Sequence, residues 1–348
     1  MTGGMSGDLE RRYRRVLRLL PGYYREQWEE DMVAAFLDTW LTGDPQADAY
    51  ISQAAGPSLA EIASVVSLAG RLYLGGAGTP RRYFAWGQAV RRAVLALLLL
   101  HAMQALNVLV LTTWSRQLLG LQALTVSPLG GSSAGTWTTV LYVASFAWIA
   151  IFVTLALGHY RPAWVLAALA SIIDLVALVQ AQLAGRVLTP YGSWAAWVLL
   201  SLAPVLAMAA FHRDAPPTAG RPWLLALPLG YLVVFGPMLA LEAAGHFWLP
   251  DIPGLCCILV ALACLVRAPG AWSGRAAGSG VWSLALILLA ADAAAYRIVS
   301  LIDRHDPHLF QVSMVELFVL VAAAAVVAPD AARAQAPAPA PPPHPQPG

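Results

Sequence analysis

Before residue 93, apolar side chains recur at helical spacing with charges between them. From residue 93 onward the chain is a succession of long apolar stretches separated by short breaks carrying Arg, Pro or Gly. A helix needs about 20 predominantly apolar residues to cross roughly 30 Å of hydrocarbon. Eight stretches approach or meet that need, at approximately 93–114, 138–158, 163–183, 193–211, 223–242, 252–266, 281–300 and 310–328. The sixth is the weakest, being short and opened by Pro250, Asp251 and Pro253, so seven spans is the alternative.

In the first part, Leu9, Tyr13, Val16, Leu17 and Leu20 make one face of a helix over 8–20, with Arg11, Arg12, Arg14, Arg15 and Arg18 on the other side. Pro21 and Gly22 end it. A second helix from about Tyr24 to Leu41 sets Tyr24, Trp28, Val33, Phe36, Leu37 and Trp40 against Glu29, Glu30 and Asp31, so a basic helix should lie beside an acidic one. After the polar linker TGDPQAD, Ser58 and Glu61 form a capping box that opens a third helix to about Leu74, with Leu59, Ile62, Val66 and Ala69 as its inner face. Residues 1–78 therefore read as a small three-helix cytosolic head whose end, GGAG at 75–78, is a flexible hinge. Thr79 and Pro80 start a basic and aromatic juxtamembrane segment, 79–92, suited to anionic headgroups or to anchoring topology.

Composition agrees: 59% of the 348 residues are hydrophobic and only 11% charged, with a mean hydropathy of +0.63. Soluble domains carry roughly a quarter charged residues, so an ordinary soluble enzyme is excluded. The fold class is all-α: a polytopic membrane bundle of about eight helices at 93–328, a helical head, and a disordered Pro/Ala tail at 329–348. The first 92 residues contain no apolar run of signal-peptide length, which leaves insertion to the first span.

Every basic residue is Arg. With the N-terminus inside, the eight-span register places Arg81, Arg82, Arg91, Arg92, Arg161, Arg213, Arg221, Arg267, Arg275 and Arg333 on the cytoplasmic side against Arg116, Arg186 and Arg304 outside. That asymmetry puts both termini in the cytoplasm of a cell-membrane protein. Trp86, Trp164, Trp223, Trp272 and Trp282 fall near the inner ends, and Trp114, Trp137, Trp194 and Trp248 near the outer ones. The one substantial outer loop, about Ser115 to Trp137, is too polar and glycine-rich to pack a core.

Ionisable residues inside the bilayer are costly and mark interiors or wet cavities. Asp174 and Asp292 lie near the midplane and are proton or cation candidates, or else are hydrogen-bonded to neighbours such as Tyr296, Ser171, Gln180 or Gln182. Arg297 and Glu316, at similar depth on adjacent helices, are expected to form an ion pair. His101 and Gln104 could join such a network. Cys256, Cys257 and Cys264 read as apolar packing residues. His305-Asp306-Pro307-His308 is more simply a solvated loop than a metal site, so neither metal nor cofactor is expected. The chain has no GxxxxGK[ST], HExxH or GxSxG motif, which argues against an enzyme. A net charge of +2 does not imply direct nucleic-acid binding.

The stretch ERRYRRVLRLLPGYYREQWEEDMVAAFLD, followed by EIASVVSLAGRLYLGG, resembles the HAAS-type signalling module of bacterial membrane proteins. It is also similar to the short head before the first span in some orphan permeases and in actinobacterial membrane proteins. Leu19, Leu20, Pro21, Arg25 and the segment from Glu29 to Phe36 carry the resemblance, which covers about residues 10–75. It implies a small cytosolic helical module that accompanies PadR-type transcriptional regulators. The surface to meet such a partner is expected at Arg11, Arg15, Arg18, Glu29, Glu30 and Asp31. Two functions follow: a signalling or regulatory membrane protein whose head relays membrane or ligand state to a cytosolic regulator, or a secondary transporter using the midplane carboxylates.

Overall fold

The structure is a computed structural model that describes residues 6–40, 44, 56–76, 79–118, 146–183, 202–212, 215, 220–243, 252–273, 279–303 and 307–336. Apart from short turns and caps, the described residues are helical. The chain divides into two compact units, Met1–Gly87 and Gln88–Gly348.

Among the described residues, the first unit contains the helices α1 (Ser6–Leu17), α2 (Gly22–Trp40) and α3 (Leu59–Tyr73). Leu9, Tyr13, Leu17 and Leu20 are buried, the face expected of α1. The helix stops before Leu20, which reaches the core through a turn in which its N–H donates to the Leu17 carbonyl. Pro21, lacking an N–H, closes that turn. Tyr13 stacks flat on Phe36 of α2 at a centroid distance of 4.0 Å. Trp28, expected on the inner stripe of α2, is instead exposed, while Val33 and Phe36 are buried.

At the start of α3 the capping box is complete: the Glu61 N–H donates to the Ser58 hydroxyl and the Ser58 N–H donates to the Glu61 carboxylate. The inner face differs from expectation. Leu59 and Val66 point outward, and Val65 and Ala69 are buried with Leu68 and Leu72 beside them. A 3.6-residue period allows an inner face through Ile62 and Ala69 with either Val65 or Val66 between them, and the neighbours on α1 decide. Leu17→Ala, in so small a core, is expected to cost about 2–5 kcal/mol, read as lost amide-exchange protection across α1 to α3.

The expected GGAG hinge is, at its first residue, a fixed turn. Gly75 has φ of +76°, and a Cβ there would lie 2.7 Å from the Tyr83 carbonyl oxygen. At Gly87 a Cβ would overlap the Leu74 carbonyl group. Tyr83 also packs on Tyr23 and Tyr73. The first turns of α4 (Arg81–Leu118) thus belong to the first unit, whose boundary falls between Gly87 and Gln88. Ala77 and Gly78 lie outside the described residues.

The second unit contains the rest of α4, then α5 (Phe146–Ala156), α6 (Tyr160–Leu183), α7 (Gly220–Ala243), α8 (Ile252–Ser273), α9 (Ser279–Asp303) and α10 (Pro307–Gln335). Residues 202–207 are helical and tighten into a 3-10 turn at Met208–Ala210. Around α4 lie three groups of buried contacts. Val94, Leu95, Leu98 and Ala102 meet Ile151, Phe152 and Leu155 of α5, Ala163 and Ala167 of α6, and Met208. Ala89 and Ala93 meet Leu284, Ala285 and Ala331. Met103 meets Tyr231, Phe235 and Leu255.

Alanines share the buried contacts with Leu, Ile and Phe, while many other large apolar side chains point outward. On α10, Ala323 is buried whereas Val315, Phe318 and Val321 are 62–75% exposed; α7 presents Leu225, Leu229, Leu232 and Val233 in the same way. A water-soluble monomer does not display so much apolar surface, and small inward residues are what helices packing in lipid require. Four helical stretches among the described residues are long and apolar enough to cross a membrane: Arg81–Leu111, Gly220–Ala240, Gly280–Leu301 and Phe310–Gln335. Shorter apolar pieces cover Phe146–Ala156, Tyr160–Ile173 and Ile252–Ala268.

Two boundaries change. Pro253 sits in the first turn of α8, where its missing N–H costs no intrahelical bond, so the residue that weakened the sixth stretch opens a 22-residue helix. The disordered tail expected from 329 does not start there: α10 runs through Pro329 to Gln335, with Asp330 and Ala331 buried. The outer loop from 119 to 137, the linker TGDPQAD apart from Asp44, and the sequence from 337 onward lie outside the described residues.

Candidate functional site

Between α9 and α10 the structure brings Arg297 and Glu316 together, Nη2 to Oε2 at 2.6 Å, with the side chains 1% and 12% exposed. Positions 297 and 316 meet because the two helices run antiparallel across a short connection. Ser300 and Ser313 are buried with them. Two ions this deep are held by their mutual charge, and removing one takes away the partner that offsets the other's desolvation.

Asp292 lies on α9, half-buried, and makes no hydrogen bond or ion pair with a described residue. Of the hydrogen-bond partners offered for it, neither Tyr296 nor Ser171 bonds to it; the Ser171 hydroxyl is buried without a partner among the described residues. Asp174 lies on α6, but its side chain, like those of Gln180 and Gln182, is outside the described residues. His101 is satisfied locally: its Nδ1–H donates to the Leu97 carbonyl at 2.9 Å and its ring lies against Trp148. It does not extend a proton network to Asp292. Cys257 and Cys264 are buried in the α8–α9–α10 core, as packing residues are.

A second polar group, whose arginines sequence reasoning treated as topology anchors or headgroup contacts, collects at one end of this unit. Arg91 is fully buried and donates to the Ala210 carbonyl at 3.0 Å. Arg92 lies over the ring of Trp282, 4.8 Å from its centroid, and Trp223 packs on the same indole. Ser283 donates to Asp330 at 2.7 Å, and Arg333 is 3.9 Å from the same carboxylate. The backbones meet there too: a Cβ on Gly220 would strike the Ala156 carbonyl, and one on Gly280 would strike that of Asp330. The signal for Asp330 was a lone acid just past an apolar stretch, hidden by the neighbouring Pro329.

In the first unit, the six residues expected to meet a partner divide. Arg14 holds Glu30 through two hydrogen bonds, at 2.7 and 2.8 Å, and reaches Glu29 at 3.4 Å, so the basic and acidic helices are clamped to each other. Arg11 pairs with Asp8. Arg15, Arg18 and Asp31 are exposed and make no ion pair with a described residue.

Two carboxylates in this unit are held below their ordinary value of 4.5. The Arg14 hydrogen bond lowers Glu30. Burial raises Glu61, but hydrogen bonds from the Ser58 backbone and hydroxyl and from the Trp40 indole outweigh it and leave a net lowering. A carboxylate depressed in the folded state stabilises it above the unfolded value and loses that contribution as pH falls through the folded value. The head is therefore expected to lose amide-exchange protection below about pH 4.5. Glu61→Gln should flatten the profile there.

No protein-family model, curated protein or solved structure matches this chain.

Proposed function

We propose that this is a regulatory membrane protein of about eight spans, with both termini in the cytoplasm, whose helical head relays the state of the membrane region to a cytosolic protein. The observation that carries the reading is the sharing of α4. Its first turns are locked to the end of α3 at Gly75 and Gly87, and the same helix goes on as the apolar element around which the second unit packs. The eight-span register is supported by which ends meet. Arg91, Ala156, Ala210, Gly220, Gly280, Trp282 and Asp330 flank stretches whose inner ends alternate in that register, and contacts at this end join them in pairs. The resemblance of residues 10–75 to HAAS-type modules suggests a PadR-type regulator as the partner.

The partner surface is the part of the head left outward by its internal clamp: Arg15, Arg18 and Asp31. Crosslinking in native membranes, full chain against Arg15→Glu/Arg18→Glu, is expected to lose one soluble regulator while the head stays protease-resistant. Equal recovery from both chains would reject the relay.

A transport reading has one observation in its favour: Asp292 has no hydrogen bond or ion pair among the described residues. Asp292→Asn in proteoliposomes, with a pH-sensitive dye inside, would abolish a proton flux if that residue carries one; an unchanged trace leaves Asp292 structural.

A further inference from the structure

Leu59 and Val66, expected inside, give α3 an apolar outer face that the first unit leaves open. Positions 59, 63, 66, 70 and 73, spaced by four, three, four and three, line that face over the whole helix, which is the spacing of a coiled-coil seam. Leu59 is 86% exposed, Val66 50% and Tyr73 42%; Ala63 is exposed too, and nothing lies within 4 Å of a Cβ on Gly70. The exposed residues Ala60, Ser64 and Ser67 beside the seam carry no charge, and Arg71 lies about 120° round the helix from its midline. The other helices of the head differ: α1 exposes Asp8, Arg11, Arg15 and Arg18, and α2 exposes Glu26, Glu30, Asp31 and Asp38. The solvent side of a surface helix is ordinarily charged and polar, so the outer face of α3 has the composition of a contact. The seam is also symmetric about Val66. Leu59 and Tyr73 stand seven residues to either side, with Ala63 and Gly70 three and four residues away. Laid on an identical seam, parallel or antiparallel, Val66 meets Val66, large residues meet large ones at the ends, and Ala or Gly meets Ala or Gly between, where the backbones must come close. A two-fold contact requires such self-complementarity, and a charged seam would have set like against like.

We propose that the outer face of α3 pairs with the same face of a second copy of this chain, the two Val66 side chains meeting at the two-fold axis. One face of a 15-residue helix is less than the about 800 Å² that each partner of a free-standing dimer buries. The pair therefore belongs to chains held in one bilayer, where confinement raises their effective concentration.

The test is oxidative crosslinking of the full chain in native membranes, read on non-reducing gels, with the unsubstituted chain and its Cys256, Cys257 and Cys264 as background. Val66→Cys is expected to give a covalent dimer, and Asp38→Cys, exposed on α2, none above background. Adding Leu59→Glu to Val66→Cys forces a charge into the seam in either sense of pairing and should cut the dimer about ten-fold. Leu59 is too exposed for that change to disturb the core of the head. If Val66→Cys does not accumulate, Ser67→Cys, exposed beside it, is linked with a short bis-maleimide and must respond to Leu59→Glu in the same way. No dimer, an equal yield from Asp38→Cys, or a dimer indifferent to Leu59→Glu overturns the proposal. A covalent product with a different protein in place of the dimer also overturns it and gives the face to that protein.

Discussion

Glu316→Gln is expected to destabilise the full chain by about 3–5 kcal/mol, because it strands the Arg297 charge at 1% exposure. The pair lies at 2.6 Å between α9 and α10, inside the part of the second unit built mainly from Ala, Leu and Cys side chains. Desolvating two ions costs several kcal/mol each, and the mutual attraction repays it only while both are present. Thermal unfolding in detergent, followed by size exclusion, reads the loss. The double variant Arg297→Met/Glu316→Met removes both charges and is expected to recover most of it. A double variant as unstable as the single one would mean that Arg297 is held chiefly by other groups.

Gly87→Ala is expected to cost about 3 kcal/mol in the first unit, since its new methyl would overlap both the oxygen and the carbon of the Leu74 carbonyl. Backbone on both sides must move, and the turn at Gly75, which needs its positive φ, cannot absorb the shift. The matched control is Gly70→Ala in α3, where nothing lies within 4 Å of the added carbon. There the substitution should stabilise by about 0.5–1 kcal/mol, through helix propensity and a less flexible unfolded chain. Amide exchange across α3 reads both variants, and the opposite signs distinguish a packing role at Gly87 from a general intolerance of the head. If both substitutions proved neutral, the lock between α3 and α4 would not exist in solution.

Several features were legible because they depend on neighbours in sequence. Ser58 and Glu61 are three residues apart, and a capping box needs only that spacing and a helix to follow. The inner face of α1 followed from one unambiguous stripe of Leu9, Tyr13, Leu17 and Leu20. Arg297 and Glu316 were readable as partners because a short connection forces adjacent antiparallel helices and the cost of an isolated charge demands an answer nearby.

The misreadings share a cause. In α3 both Val65 and Val66 fit the helical period, and only the surfaces of α1 and α2 choose between them. Trp28 satisfied the stripe of α2 but lies beyond the reach of that small core. Asp330 was assigned to a tail because Pro329 reads as a breaker, whereas burial against Ser283 keeps the helix going past it.

What the sequence determined by itself was therefore local and compositional: an all-helical chain, a charged head before apolar stretches, helix starts with their caps, and a buried ion pair between adjacent helices. The rest came from contacts between residues far apart in the chain. Which face of α3 turns inward, how Gly87 meets Leu74, and the seating of Arg92 over Trp282 were decided only by tertiary structure. Periodicity and hydropathy say how each segment will fold, but burial, close approach and the meeting of charges depend on what the neighbouring segment presents.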